Sequence, residues 1–277
     1  MIIDSHHHLW YYSEDEYGWI DQSMEVLKKD YLAGDLLEVA GNAGTTATVA
    51  VQARQTIEET RWLIEVARSS SIVKGIVGWL DLQSPGLAEQ LAEFSGYREM
   101  VGVRHIIHDE QDKDFMLKPS FLRGIRALRE YNLTYDLLIF PEHLTNSIRL
   151  VRANPDQRFV LDHLAKPPIR SGTIQPWKKD IETLAAHPNV WCKVSGMVTE
   201  ADRNWRYEDF IPYLEVVLEA FGSDRIMIGS DWPVCLLAGS YEEVLKIPEL
   251  FFDRLSASEK ESIFYKNTIE CYQLESE

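Results

Sequence analysis

The sequence predicts a single (β/α)8 TIM barrel, on three observations. Short β-branched apolar runs recur eight times, and helical patterns lie between them. No Pro-, Gly- or Ser-rich linker divides the 277 residues. Runs that are apolar on both faces suit parallel strands buried on both sides. Eight such units without a second-domain break favour closure over a doubly wound sheet.

The expected strands cover residues 2–8, 46–53, 74–82, 100–108, 133–140, 158–163, 189–195 and 225–231. The helix after the second strand opens at Thr56 with Glu59 three residues on, the pattern of a capping box. Leu144, Ile148 and Val151 mark a helix after the fifth strand by their i, i+4, i+7 spacing. Phe210, Leu214, Val217 and Phe221 do the same after the seventh, with Gly222 placed to end it. Residues 9–30 interrupt the regular alternation. This insertion is acidic and aromatic (Trp10, Tyr11, Tyr12, Tyr17, Trp19), as expected of a loop near a binding mouth.

Composition narrows the function classes. With 28 Lys plus Arg against 44 Asp plus Glu, the net charge is −16. Nucleic acid binds largely through counterion release to basic groups, so it is a poor partner, as is an anionic membrane. Cys192, Cys235 and Cys271 show no CxxC spacing, which argues against a disulfide framework or a zinc knuckle. The start, MIIDSHHHLW, lacks the basic and apolar regions of a secretory signal, and no apolar run reaches the length of a bilayer span. A cytoplasmic protein is expected.

In this barrel the active site lies at the C-terminal ends of the strands. Polar, titratable residues accumulate there. The first strand ends Asp4-Ser5-His6-His7-His8, and alternation puts Asp4, His6 and His8 on one face. Two imidazoles at i, i+2 can converge on one ion or one substrate. The eighth strand ends at Asp231, where a buried carboxylate needs a partner or a role. The sixth offers His163 and Lys166. On the fourth, Arg104 and His108 share parity and His105 faces oppositely.

These residues resemble the amidohydrolase superfamily: HxH on strand one, His on strand six, Asp on strand eight. The strings Asp4-x-His6-x-His8-x-Trp10, Gly102-Val103-Arg104-His105, Leu161-Asp162-His163-x-x-Lys166-Pro167, Lys193-Val194-Ser195-Gly196 and Gly229-Ser230-Asp231-Trp232-Pro233 are similar to its amidohydrolase-2 branch. Within that branch they resemble sugar lactonases of the fuconolactonase and rhamnonolactonase type, relatives of the pyrone-dicarboxylate lactonase. The similarity runs in order from residue 2 to about residue 272.

The resemblance implies a hydrolase opening an aldonolactone of the L-fucono-, L-rhamnono- or L-galactonolactone type. Its residues imply Asp231 as general base, with His6, His8 and His163 polarising or protonating the lactone. Arg104, Lys166 and Gln52 would bind hydroxyls, and Trp19, Trp79 and Trp232 would stack on the ring. The chain departs from metal-dependent relatives in having no His on the fifth strand and Arg104 in place of a carboxylated lysine, so two ions are not expected. His6, His8 and Asp231 can hold one divalent ion, zinc or manganese, and the branch includes enzymes with an ion and without. A doubly anionic pyrone-dicarboxylate would want more cations than Arg54, Arg104 and Lys166. Metal-dependent decarboxylation and a sugar-acid binding protein on the same barrel are the other readings. The first wants a fuller metal shell, and the second has no need of a base.

Overall fold

The computed structural model describes residues 1–275. Eight strands form one parallel sheet in chain order: β1 (Ile3–His7), β2 (Ala47–Val51), β3 (Val73–Gly78), β4 (Met100–Ile106), β5 (Thr134–Leu138), β6 (Phe159–Leu161), β7 (Val190–Val194) and β8 (Ile226–Ile228). The first and last strands meet past the end of β8. There His7 pairs with Trp232, the Asp231 amide donates to the His6 carbonyl at 2.8 Å, and the His8 amide donates to the Trp232 carbonyl at 2.6 Å. The eight strands thus form a nearly closed barrel, as the sequence predicts.

The helices α1 (Ala33–Asn42), α2 (Ile57–Ser69), α3 (Leu87–Phe94), α4 (Pro119–Glu130), α5 (Leu144–Arg152), α6 (Trp177–Ala185), α7 (Tyr207–Phe221) and α8 (Tyr241–Phe252) alternate with the strands. Two short helices follow, α9 (Ala257–Glu261) and α10 (Asn267–Tyr272). The α7 pattern is met in full: Phe210, Leu214, Val217 and Phe221 are buried, and Gly222 ends the helix at φ 66°. No described helix is long and apolar enough to cross a membrane.

Several strands stop earlier than their apolar runs. β6 ends at Leu161 because the next residues turn into a left-handed coil, and β8 ends at Ile228, short of Asp231. At α2 only half of the capping box forms. The Thr56 hydroxyl accepts from the Glu59 amide, but the Glu59 carboxylate turns away to accept from the amides of Ala53 and Arg54 at 3.1 and 2.8 Å. It thereby satisfies backbone donors just past β2 that the sheet leaves open.

Candidate active site

The mouth of the barrel at the C-terminal strand ends is built first from β1 and β8. A register shift between Asp4 and His7 breaks the expected alternation. Asp4 therefore does not join His6 and His8. It turns towards α8, accepting from the Ser230 amide (2.9 Å), the Ser230 hydroxyl (2.6 Å) and the Tyr241 hydroxyl (3.0 Å). This buried carboxylate fixes the turn that carries Asp231. His7 also leaves the mouth, pairing with Thr48 Oγ1 at 2.9 Å.

His6, His8 and Asp231 do come together. His6 Nε2 lies 3.3 Å from His8 Nε2, and Asp231 Oδ1 lies 3.4 Å from His8 Nε2 and 3.9 Å from His6 Nε2. His8 is oriented from behind by the Val51 carbonyl, 2.8 Å from its Nδ1. Close approach of β1 and its neighbour requires a glycine here, since a Cβ on Gly229 would stand 2.7 Å from His6 Cβ.

His163 enters from an unusual turn. His163, Leu164, Ala165 and Lys166 have φ of 53°, 54°, 58° and 49°, four consecutive left-handed residues without a glycine. Each costs roughly 1–2 kcal/mol, so the turn persists only because its surroundings hold it. Trp177 Nε1 donates to the Leu164 carbonyl at 2.8 Å, and the Lys166 amide donates to the His163 carbonyl at 2.7 Å. The result brings His163 Nε2 to 3.8 Å from Asp231 Oδ1, with His163 Nδ1 paired to Ser195 Oγ at 2.8 Å. Burial pushes the His163 imidazole down to about 4. Burial works to raise the Asp231 carboxyl, but His163 and His8 outweigh it and hold it below the usual range. At neutral pH this is an ionised carboxylate facing a neutral imidazole.

Beneath these groups lies a charged layer that the sequence motifs contain only in part and do not explain. Lys193 on β7 is fully buried, 2.7 Å from Asp136 Oδ2, 3.1 Å from Asp162 Oδ1 and 3.3 Å from His6 Nδ1. Burial works against its charge, but the two carboxylates outweigh it and keep the ammonium. Arg104 spans the same layer, with Nη1 at 3.2 Å from Asp162 and 3.3 Å from His6 Nε2, and Nη2 donating to the Gln52 carbonyl and amide oxygen. Lys193, Asp136 and Asp162 were absent from the expected site residues. The clue was a lone lysine inside a strand buried on both faces, which can stay charged only with buried partners.

Above this floor is a cavity of about 340 Å3, lined by His8, Arg104, His163 and Asp231 below and by Trp19, His108, Phe140, Lys166, Glu200 and Leu237 around the rim. Residues 9–30 thus contribute Trp19 to the mouth. Two expected contacts point elsewhere. Trp79 Nε1 donates to His105 Nδ1, outside the lining, and Trp232 is buried edge-on against Tyr31. Gln52 is buried behind Arg104 and touches the cavity only through it. Other hollows, around Arg68 and Arg98 and around Arg129 and Asp156, contain none of these groups.

The donor set fits a divalent ion. Ligand atoms of His6, His163 and Asp231 lie within 4.8 Å of one another, with His8 Nε2 close to two of them. Ligand atoms about 2.0–2.1 Å from a tetrahedral ion stand roughly 3.3 Å apart, which the His6–His8 and His8–Asp231 separations match. Burial keeps the His6 imidazole well below its usual range, so it is neutral and able to ligate. Arg104 Nη1 competes for the same His6 Nε2 lone pair, which weakens the hold on an ion.

The family model for amidohydrolases matches residues 3–274. The chain belongs to the amidohydrolase family. This amidohydrolase is 39% identical over 286 residues to the L-fucono-1,5-lactonase of Burkholderia multivorans (strain ATCC 17616 / 249), an alignment spanning 99% of this chain and 96% of the relative. It is 37% identical over 239 residues to the L-fucono-1,5-lactonase of Burkholderia ambifaria, over 86% of this chain and 82% of that one. The crystal structure of an amidohydrolase from Burkholderia multivorans with bound zinc superposes with a TM-score of 0.95 at 39% identity, covering 99% of this chain and all of the other.

Proposed function

We propose that this amidohydrolase opens the ring of a sugar-derived aldonolactone, of the L-fucono-, L-rhamnono- or L-galactonolactone type, to the sugar acid. The observation that carries the reading is one ionised carboxylate, Asp231, set among three imidazoles on the floor of a cavity sized for a single sugar ring. Near full-length similarity to two fuconolactonases supports it.

In this reading Asp231 takes a proton from water as the oxygen adds to the lactone carbonyl carbon. When the bond from that carbon to the ring oxygen breaks, Asp231 returns the proton to the ring oxygen, giving a hydroxyl and a carboxylic acid that ionises. The Ser195 hydroxyl donates to His163 Nδ1, leaving the proton on Nε2 to face the cavity and bind the carbonyl oxygen as charge develops. His6 and His8 add to this polarisation, and Arg104 and Lys166 bind ring hydroxyls. Trp19 lies against the sugar's apolar face. A divalent ion held by His6, His8 and Asp231 would supply Lewis-acid polarisation of the carbonyl.

The chain acts as one catalytic unit with residues 9–30 as its mouth loop. The enzyme works in the cytoplasm, a placement supported by three thiols that are all free and buried. Purified protein assayed on the three lactones, with and without chelator, tests the function. Turnover of at least one is expected, and inertness towards all of them overturns it.

A further inference from the structure

Each cation that the sequence places near the mouth is matched by a carboxylate. Arg54 pairs with Glu16 at 2.5 Å, Arg104 with Asp162 at 3.2 Å, and Lys166 with Glu200 at 3.0 Å. Of these pairs only Lys166–Glu200 has both members in the cavity lining. It bridges two strand ends, Lys166 from the left-handed turn after β6 and Glu200 from the short turn after β7. Both side chains are half-buried, so the cavity contents feel their charges with incomplete solvent screening. The ionisable side chains of the lining, imidazoles aside, are Arg104 and Lys166 against Asp109, Glu200 and Asp231. The wall is therefore net acidic.

We infer that Glu200 is a specificity-determining residue that restricts this site to uncharged lactones by occupying the Lys166 ammonium. The inference rests on the lactonase reading above. An unpaired ammonium in that wall would attract a substrate carboxylate. Paired with Glu200, it keeps N–H donors for hydroxyls, while the Glu200 carboxylate accepts from a neighbouring hydroxyl. Together they present a donor and an acceptor to a polyol. A carboxylate at the same position would meet Glu200 as a like charge, with no free cation to offset it. Arg104 gives no relief, because the Asp162 carboxylate already offsets its charge.

The test uses two probes of the same ring, L-galactono-1,4-lactone and galactaro-1,4-lactone, whose terminal carbon is a carboxylate. Turnover is measured for the intact enzyme, Glu200→Gln and Lys166→Gln, and binding of the anionic probe by calorimetry. In Glu200→Gln the ratio of kcat/KM for the anionic over the neutral lactone should rise at least tenfold, with tighter binding of the anion. In Lys166→Gln, where Glu200 stands alone, the anion should bind more weakly than to the intact enzyme. Anion binding within twofold in both variants overturns the role of Glu200. Failure of the lactonase reading looks different: no enzyme turns over either lactone, while calorimetry still reports the charge effect.

Discussion

Tyr272, on α10, donates its hydroxyl to Asp136 Oδ2 inside the barrel at 2.6 Å. Its ring packs among Val49, Val77, Val101, Val160 and Met227, so the C-terminal segment closes the barrel interior. Asp136 in turn holds Lys193, which touches His6. Helix α10 is thus connected to the mouth through buried charges.

Removing part of that chain has graded consequences. Tyr272→Phe keeps the packing and loses one hydrogen bond to a charged group, so denaturant unfolding should show a loss of about 1–3 kcal/mol. Lys193→Met leaves Asp136 and Asp162 buried without their ammonium and should cost about 3–5 kcal/mol. Equal stabilities of the two variants would contradict the arrangement.

Gly196 has φ 59°, and a Cβ there would stand 2.5 Å from His163 Nδ1. Gly196→Ala should therefore lose stability, about 1–2 kcal/mol from the backbone alone, and displace the imidazole. We expect kcat to fall further in Gly196→Ala than in Ser195→Ala, which removes only the hydroxyl partner of His163. Steady-state kinetics of the two variants decide this.

Acidification should destabilise the fold. Burial pushes His7 and His108 down to about 3 and His163 down to about 4. Between these values and the unfolded value of about 6.5, the unfolded chain binds more protons, so each group contributes stability that is lost as pH falls. Glu59, raised by burial to about 7, acts in the opposite sense between its unfolded value and 7. Among these four groups the three histidines outweigh the glutamate, and together they contribute a slope of about 1–3 kcal/mol per pH unit near pH 5. Urea midpoints measured from pH 7 to 5 should fall steadily, and a flat profile contradicts the neutral buried histidines.

Much of this was legible in the sequence, for identifiable reasons. Period and apolar runs show where strands and helices lie, and the strand-end rule selects His6, His8, His163 and Asp231. The path of Asp4 was not legible, because the β1 register shift depends on its pairing with β2 and not on its own residues. Nor was the left-handed turn at His163, whose residues carry none of the glycines such a backbone favours. Nor does the sequence tell where Trp79 turns, because an aromatic near a strand end is equally at home against His105.

Metal content is expected to be low and single. His6, His8 and Asp231 supply the ligands of one ion, and Arg104 competes for one of them. Elemental analysis should find no more than one zinc or manganese per chain. Chelation should lower activity, and either metal should restore it. More than one ion per chain contradicts the single-site geometry.

The role of Asp231 is the central claim, and Asp231→Asn tests it most directly. An amide in that position keeps the shape and cannot take a proton from water. With folding verified by circular dichroism, kcat/KM for L-fucono-1,5-lactone should fall by about 10²–10⁴. A folded variant that retains turnover within a few-fold of the intact enzyme would contradict Asp231 as the base.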